Sequence, residues 1–455
     1  MSFSHNQNIN TMKRICLLLP ALGLLLLSCN TQKEPSEAVI GKSDIVIVNG
    51  IFTPEALWAL GRLGEVAVSP SGLRVAYTVT YYSVEQNRSN TEIFVMNADG
   101  SACQQITKTA AHEFNIAWVD DNTIAYISTE GETAQIWTMD ARGKNRKQVS
   151  NFDGDINGFA ISPKGDKILF ISDVKIDKAT VDIYPDLPKA SGMIIEDLMY
   201  RHWDTWEDGS YSHIFVADFM DGKVANAIDI MPGEPYDTPL KPFGGMEEIA
   251  WTPCGKGIAY TCKKLTGKEF SFSTNSDIYL YRIETGETTN LTEGMPGYDK
   301  QPLFSPQGEL MAWVSMERAG FEADKERLFV MNMTTGEKTY MTPDFDYSVS
   351  NMQWTPDGKA MYFIVGVEAT HQIFRIDMET AEIKPVTKGL HDYHSVALAG
   401  NVLIGDKVSI TSPAEIFSIE PSTGVEEQIS FINKDILDQL TMPTVERRWV
   451  KSTDG

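Results

Sequence analysis

The sequence predicts an all-β fold: a seven-bladed β-propeller that follows a lipoprotein signal peptide and carries a helical insertion in blade three. Three observations support this. First, a Pro-Gly turn motif recurs as Ser69-Pro70-Ser71-Gly72, Ser162-Pro163-Lys164-Gly165, Thr252-Pro253-Cys254-Gly255, Ser305-Pro306-Gln307-Gly308 and Thr355-Pro356-Asp357-Gly358. Each copy joins two short apolar runs, such as Ile168-Leu169-Phe170 or Ala312-Trp313-Val314. Pro presets φ and Gly accepts positive φ, so each copy reads as a tight strand-to-strand turn. Second, a lagging signature ends strands at Ile106-Thr107, Val149-Ser150, Leu291-Thr292, Met341-Thr342, Val386-Thr387 and Ile429-Ser430. Third, those ends are spaced like blades: 107 to 150 is 43 residues, 292 to 342 is 50, 342 to 387 is 45 and 387 to 430 is 43. Four-stranded blades repeat every ~40–50 residues.

The gap from 150 to 292 is 142 residues, which at that period holds two blades and roughly 50 residues of insertion. The blades then fall near 66–107, 114–150, 157–231, 247–292, 300–342, 349–387 and 394–430. Blade two replaces the turn with Asp120-Asp121-Asn122, and blade seven keeps only Gly400-Asn401. Because these two are degenerate, six or eight blades stay open. A β-sandwich array would share the alternating strands, but two signatures recurring at blade length point to the propeller.

Lys13 and Arg14 precede an apolar run from Ile15 to Leu27, and Leu26-Leu27-Ser28-Cys29 leads into polar Asn30-Thr31-Gln32-Lys33. A basic start, a short apolar core and a small residue before the cut make an export signal, too short to span a bilayer comfortably. Leu-Leu-Ser-Cys resembles the bacterial lipobox, which implies a lipid on Cys29; an ordinary signal peptide is the alternative. Met12 reads as the better start. The expected organisation is 1–28 signal peptide, 29–49 lipidated tether, 50–443 propeller and 444–455 the start of a linker. The expected location is a bacterial cell envelope, on the periplasmic or outer-membrane side.

Removing Lys13 and Arg14 takes the basic count from 39 to 37 against 62 acids, so the net charge of −23 becomes −25. Such a surface repels phosphate backbones and argues against nucleic acid as a partner. With Cys16 discarded and Cys29 acylated, Cys103, Cys254 and Cys262 remain. Cys254 and Cys262 flank one hairpin and could pair or stay as free thiols. There is no zinc spacing, and no metal or cofactor is expected.

Catalytic motifs are sparse. No Gly-x-Ser-x-Gly elbow, which an α/β-hydrolase Ser requires, occurs. His391-Asp392-Tyr393-His394 reads as a loop histidine pair, Glu247-Glu248 as a solvated strand edge, and Asp120-Asp121 as turn chemistry. Gly244-Gly245 lacks the downstream Lys-Ser or Lys-Thr of a phosphate loop.

The insertion is richer. Ile195, Leu198, Met199, Trp203 and Trp206 fall near one helical stripe and Gly209 suits a helix stop, so a helix is expected over 197–209. It reads equally as a flap packed on the rim and as a ligand-facing element.

Long ordered blocks then become recognisable. Thr53-Pro54-Glu55-Ala56-Leu57-Trp58 leads to Gly61-Arg62, and the stretches 182–187 and 197–209 follow. Beyond them come Ser273-Thr274-Asn275-Ser276-Asp277-Ile278-Tyr279, Gly294-Met295-Pro296-Gly297-Tyr298-Asp299 and Trp313-Val314-Ser315-Met316-Glu317-Arg318. Across 50–455 the chain resembles the N-terminal propeller of the prolyl oligopeptidase family of serine peptidases, in the acylaminoacyl-peptidase branch. The resemblance implies peptide substrates and a partner α/β-hydrolase domain carrying Ser, Asp and His. It also implies a propeller that gates substrates and supplies acids for a peptide's free amine. Glu196, Asp204, Trp206 and Glu207 are the substrate-binding candidates, and no catalytic residue is assigned. The segment from Val445 to Gly455 looks like the linker into the hydrolase, so the chain alone is expected to hydrolyse no peptide. Two function classes follow: the gating part of an exported exopeptidase that releases dipeptides, or a free-standing periplasmic binding or scaffold propeller without enzymatic activity.

Overall fold

The computed structural model describes residues 38–454; the signal segment and Cys29 lie outside the described residues. Antiparallel four-stranded meanders follow one another at 62–105, 113–148, 158–229, 249–290, 299–340, 350–385 and 392–428. Five are separate sheets, and the last two share an eight-stranded sheet through one parallel bridge, His371 to Asp392. Among the described residues no sheet closes on itself.

Both repeat signatures have a hydrogen-bond basis. In every Pro-Gly motif the Gly N–H donates to the carbonyl of the Ser or Thr three residues earlier, at 2.8–2.9 Å. That Ser or Thr hydroxyl accepts the amide five residues on, at 2.9–3.1 Å. The hydroxyl therefore closes the turn from inside. In the lagging signature the terminal Thr or Ser accepts the amide of Ile93, Ile136, Ile278, Leu328, Ile373 or Ile416, fourteen positions back on the third strand. Five of the six hydroxyls also donate to a side chain one position further back: Glu92, Gln135, Asp277, Gln372 and Glu415. Each signature thus marks a satisfied, partly buried polar joint, as buried polar groups require.

Neighbouring meanders are tied by recurring contacts. The indole N–H groups of Trp118, Trp251 and Trp354 each donate to an inner-strand carbonyl of the preceding meander: Ala67, Ala160 and Leu303, at 3.0–3.1 Å. β-Bulges in the inner strands turn polar side chains sideways. Glu65 accepts the amides of Asn115 and Ile116, the Asn115 amide group brackets Phe159, and Asn351 accepts Val396 N–H. The turn glycines Gly143 and Gly424, both at positive φ, lie so close to the carbonyls of Ile106 and Val386 on the preceding meander that a Cβ would collide. Gly100 meets Ile429 in the same way, so the first meander sits against the last. The core agrees, since one apolar cluster joins Val75, Tyr77 and Met96 to Ile404, Ile416 and Ile429.

The two ends of the repeat are clasped. The buried Asn433 side chain accepts Gly61 N–H at 2.8 Å and donates to Gly61 O at 2.9 Å. Gln439 bonds Ile47 N–H and Ile45 O, and Thr441 N–H donates to Gly50 O.

Two expectations are corrected and one open alternative is decided. The insertion holds no helix over 197–209: after a single turn at Thr180–Ile183 it forms a hairpin of Arg201–His202 and Thr205–Trp206. Its aromatic and Thr residues favour strand over helix, and Trp203 takes φ +56° at the turn. Of the two states open to Cys254 and Cys262, the structure has free thiols, Cys254 exposed in the turn and Cys262 buried at the far end of the strand Gly257–Cys262. Glu248 is no solvated edge. It is buried, accepts Leu240 N–H at 2.8 Å, and burial pushes its carboxyl up to about 7.

Candidate functional site

An antiparallel four-stranded meander sends its first-strand start, its second-to-third connection and its last-strand end to the same edge. The Pro-Gly turns occupy the opposite edge. The shared edge therefore collects the insertion 176–209 and the segments 230–248, 263–276 and 316–326. The clasped chain ends emerge there too.

The insertion hairpin shapes a concavity of ≈ 530 Å³ lined by Leu198, Met199, Tyr200, Arg201, Trp203 and Trp206. Register puts Arg201 opposite Trp206, with the guanidinium 5.4 Å from the indole centroid. Tyr200 stacks on Trp206 at 6.1 Å, and Trp203 meets Phe243 edge-on at 5.2 Å. Trp203 keeps 71% of its surface exposed and Trp206 49%, an apolar area large enough to hold a ligand side chain.

Glu207 follows Trp206 and pairs its N–H with Tyr200 O at 3.0 Å. It does not line the concavity, and its carboxyl feels the like charge of Asp237 and the opposite charge of Lys241. Lys241 Nζ lies 3.0 Å from Asp237 Oδ1 and 3.4 Å from Ser210 O. Asp237 also accepts Ser212 N–H at 2.8 Å, and Asp173 accepts the Ser212 hydroxyl at 2.7 Å. Burial, reinforced by the Asp237 charge, holds the Glu207 carboxyl above its usual range. Burial also raises Asp237, opposed by Lys241. For Lys241 burial disfavours the charge, but Asp237 outweighs it and the ammonium is held. Carboxylates that are part-buried and under-compensated hold a cation well.

Of the sequence candidates, Trp206 is in the concavity wall and Glu207 joins the Asp237–Lys241 cluster beside it. Glu196 and Asp204 are exposed, and the structure does not gather them with the others. Asp237 and Lys241 were not foreseen, since they lie about thirty residues from Glu207 with no local pattern to flag them. Lys263 was also missed. It is buried, donates to Phe270 O at 2.6 Å and sits 4.0 Å from that ring's centroid, and burial pushes its ammonium down to about 8.

His391 and His394 are each engaged by a carboxylate. Ser395 donates to Asp406, which also faces His394 Nδ1 at 3.3 Å. The acid stands between hydroxyl and imidazole, so no base reaches the Ser oxygen. His391 lies 3.5 Å from Glu426, and Lys407 bonds the same carboxylate. Among the described residues no group of three or more His, Cys, Asp or Glu could hold a metal.

No protein-family model matches the chain. It is 44% identical over 405 residues to dipeptidyl-peptidase 5 of Porphyromonas gingivalis, covering 89% of this chain and 59% of that protein. It is 40% identical over 409 residues to dipeptidyl-peptidase 5 of Porphyromonas endodontalis, covering 90% and 59%. The chain thus spans less than two thirds of the length of these relatives. Among solved structures, an acylaminoacyl peptidase in complex with Z-Gly-Gly-Phe-chloromethyl ketone superposes with TM-score 0.64 at 19% identity, over 85% of this chain and 55% of that one. The β-propeller domain of the Trilobed protease from Pyrococcus furiosus gives TM-score 0.55 at 17% identity, over 83% of this chain and 98% of that domain. These structures share the fold, which is a β-propeller.

Proposed function

This chain is homologous to the dipeptidyl-peptidase 5 members of the prolyl oligopeptidase family, and from that premise we propose that it is the propeller part of an exported serine exopeptidase. The enzyme would release dipeptides from peptide N-termini. The seven meanders are read as seven blades, and the edge bearing the insertion as the face that meets substrate. The 44% identity spread over 89% of the chain is the observation that carries this reading. Bond cleavage is assigned to a Ser-His-Asp hydrolase domain outside these 455 residues. The propeller's share is to admit short peptides and hold their free amine, with Glu207 as the part-buried carboxylate nearest the aromatic concavity.

Calorimetric titration of the purified chain with Ala-Ala-Phe and its N-acetyl form tests that role. The free amine should bind more tightly, and Glu207→Gln should remove the difference, about tenfold for a charge-assisted hydrogen bond of ~1.5 kcal/mol. Equal binding of the two peptides by the unaltered chain would reassign Glu207 to packing. Anchoring through a lipid on Cys29 completes the proposal. Cells expressing the chain should carry it in the membrane fraction, and recovery wholly in the soluble fraction would remove the anchor.

A further inference from the structure

We propose that Arg201 is a carboxylate clamp: the concavity beside it takes a peptide whose free carboxylate adjoins an apolar or aromatic side chain. This rests on the reading of the concavity as peptide-binding and goes one step further, to which peptides it prefers. The chain holds 62 acids against 39 bases, so a surface guanidinium has ample acidic company. Three acids lie within five positions of Arg201, namely Glu196, Asp197 and Asp204. Yet among the described residues Arg201 forms no ion pair, and its guanidinium lies instead along the concavity wall, 5.4 Å from the Trp206 ring centroid. Asp197 points elsewhere, its carboxylate accepting Leu198 N–H and crowding Gly267.

The register explains the placement. Arg201 and Trp206 are cross-strand partners, so their side chains share a hairpin face, while Glu207, one position on, leaves from the other. A guanidinium held 5.4 Å from the indole centroid by its cross-strand register is already partly placed before binding, and its fork presents two parallel N–H groups to a carboxylate. Leu198, Met199, Trp203 and Trp206 supply apolar surface for the neighbouring side chain. The acidic cluster at Glu207 and Asp237 repels a carboxylate from the hairpin's other face, which leaves Arg201 as its landing point. A C-terminal carboxylate and an acidic side chain offer the same chemistry, and the favoured source is the C-terminus of a short peptide.

Calorimetric titration of the intact chain with Ala-Ala-Phe, Ala-Ala-Phe amide and Ala-Glu-Phe amide tests this. The free acid is expected to bind about tenfold more tightly than the amide, the scale of one charge-assisted contact. Arg201→Met should bring the acid down to the amide's affinity while leaving the melting temperature unchanged, and Arg201→Lys should retain part of the preference. Recovery of the preference by the Glu-containing amide would make the side-chain carboxylate an equal source and support the clamp. Equal binding of acid and amide, an undiminished preference in Arg201→Met, or binding of none of the three would overturn it. Dependence on the free amine without dependence on the carboxylate would overturn the clamp alone and leave the proposed function standing.

Discussion

Replacing Trp313 by Ala should destabilise the protein by about 3–5 kcal/mol, the usual cost of deleting a buried large aromatic. Trp313 is fully buried in the fifth meander, stacks on Phe329 at 5.4 Å, and donates its indole N–H to Asp299 Oδ1 at 2.9 Å. Asp299 is itself fully buried, and burial pushes its carboxyl up to about 7. Trp313→Phe keeps an aromatic ring but removes the donor and leaves a smaller cavity than Ala does, and pH dependence tells the lost hydrogen bond from the lost packing. It should cost about 1–3 kcal/mol, and that cost should depend on pH. A carboxyl whose folded pKa is raised contributes stability that is present below the unfolded value and lost as pH rises through about 7. The indole N–H favours the ionised form, so its loss raises the folded pKa further. The Trp313→Phe deficit should therefore be larger at pH 8 than at pH 5.5. Urea unfolding at the two pH values measures it, and an equal deficit at both would mean that Asp299 does not titrate with the fold.

Asn433→Ala should be comparably damaging although it removes only a small side chain. The Asn433 amide group satisfies both backbone groups of Gly61 across the closure between the first and last meanders. Leaving each unpaired in a buried setting costs about 1–3 kcal/mol. The backbone amide of Asn433 also donates to Glu415, which accepts Ile432 N–H and the Ser430 hydroxyl as well, so the joint is shared. Hydrogen exchange should show faster amide exchange at Gly61 and along the first strand of the repeat, with the middle meanders less affected. Asn433→Asp keeps the acceptor and should fall between. Uniform exchange across the molecule would show that closure and interior melt as one unit.

The architecture was legible because its signals are local and repeated. A Pro-Gly turn announces itself in four residues, and Thr107 or Ser430 marks the end of a fourth strand wherever it recurs. The predicted spans lie within a few residues of the ends of the four-stranded meanders. What lay beyond the sequence was the pairing of those signals. Nothing local says that Thr107 completes Glu92, or that Trp251 reaches Ala160, 91 positions away. The site failed for a related reason. Leu198, Trp203 and Trp206 fit a helical stripe as well as a hairpin, and only the αL turn at Trp203 decides between them. Lys241 and Asp237 approach Glu207 through a connection whose course the sequence does not reveal.

The clasp also bears on how the chain is made. Strand pairing within each meander is local, whereas Gly61 and Asn433 are 372 positions apart. A repeat of this kind can nucleate in any unit and spread to its neighbours, but the closing contact is the most non-local and waits longest. During synthesis the first meander, complete at residue 105, must wait for residue 433 before its Tyr77–Met96 face meets Ile404 and Ile416. At ~5–20 residues per second that interval is roughly 16–66 s. For at least that time the chain carries an uncovered apolar flank, and a holding chaperone that covers it would raise the yield of closed protein.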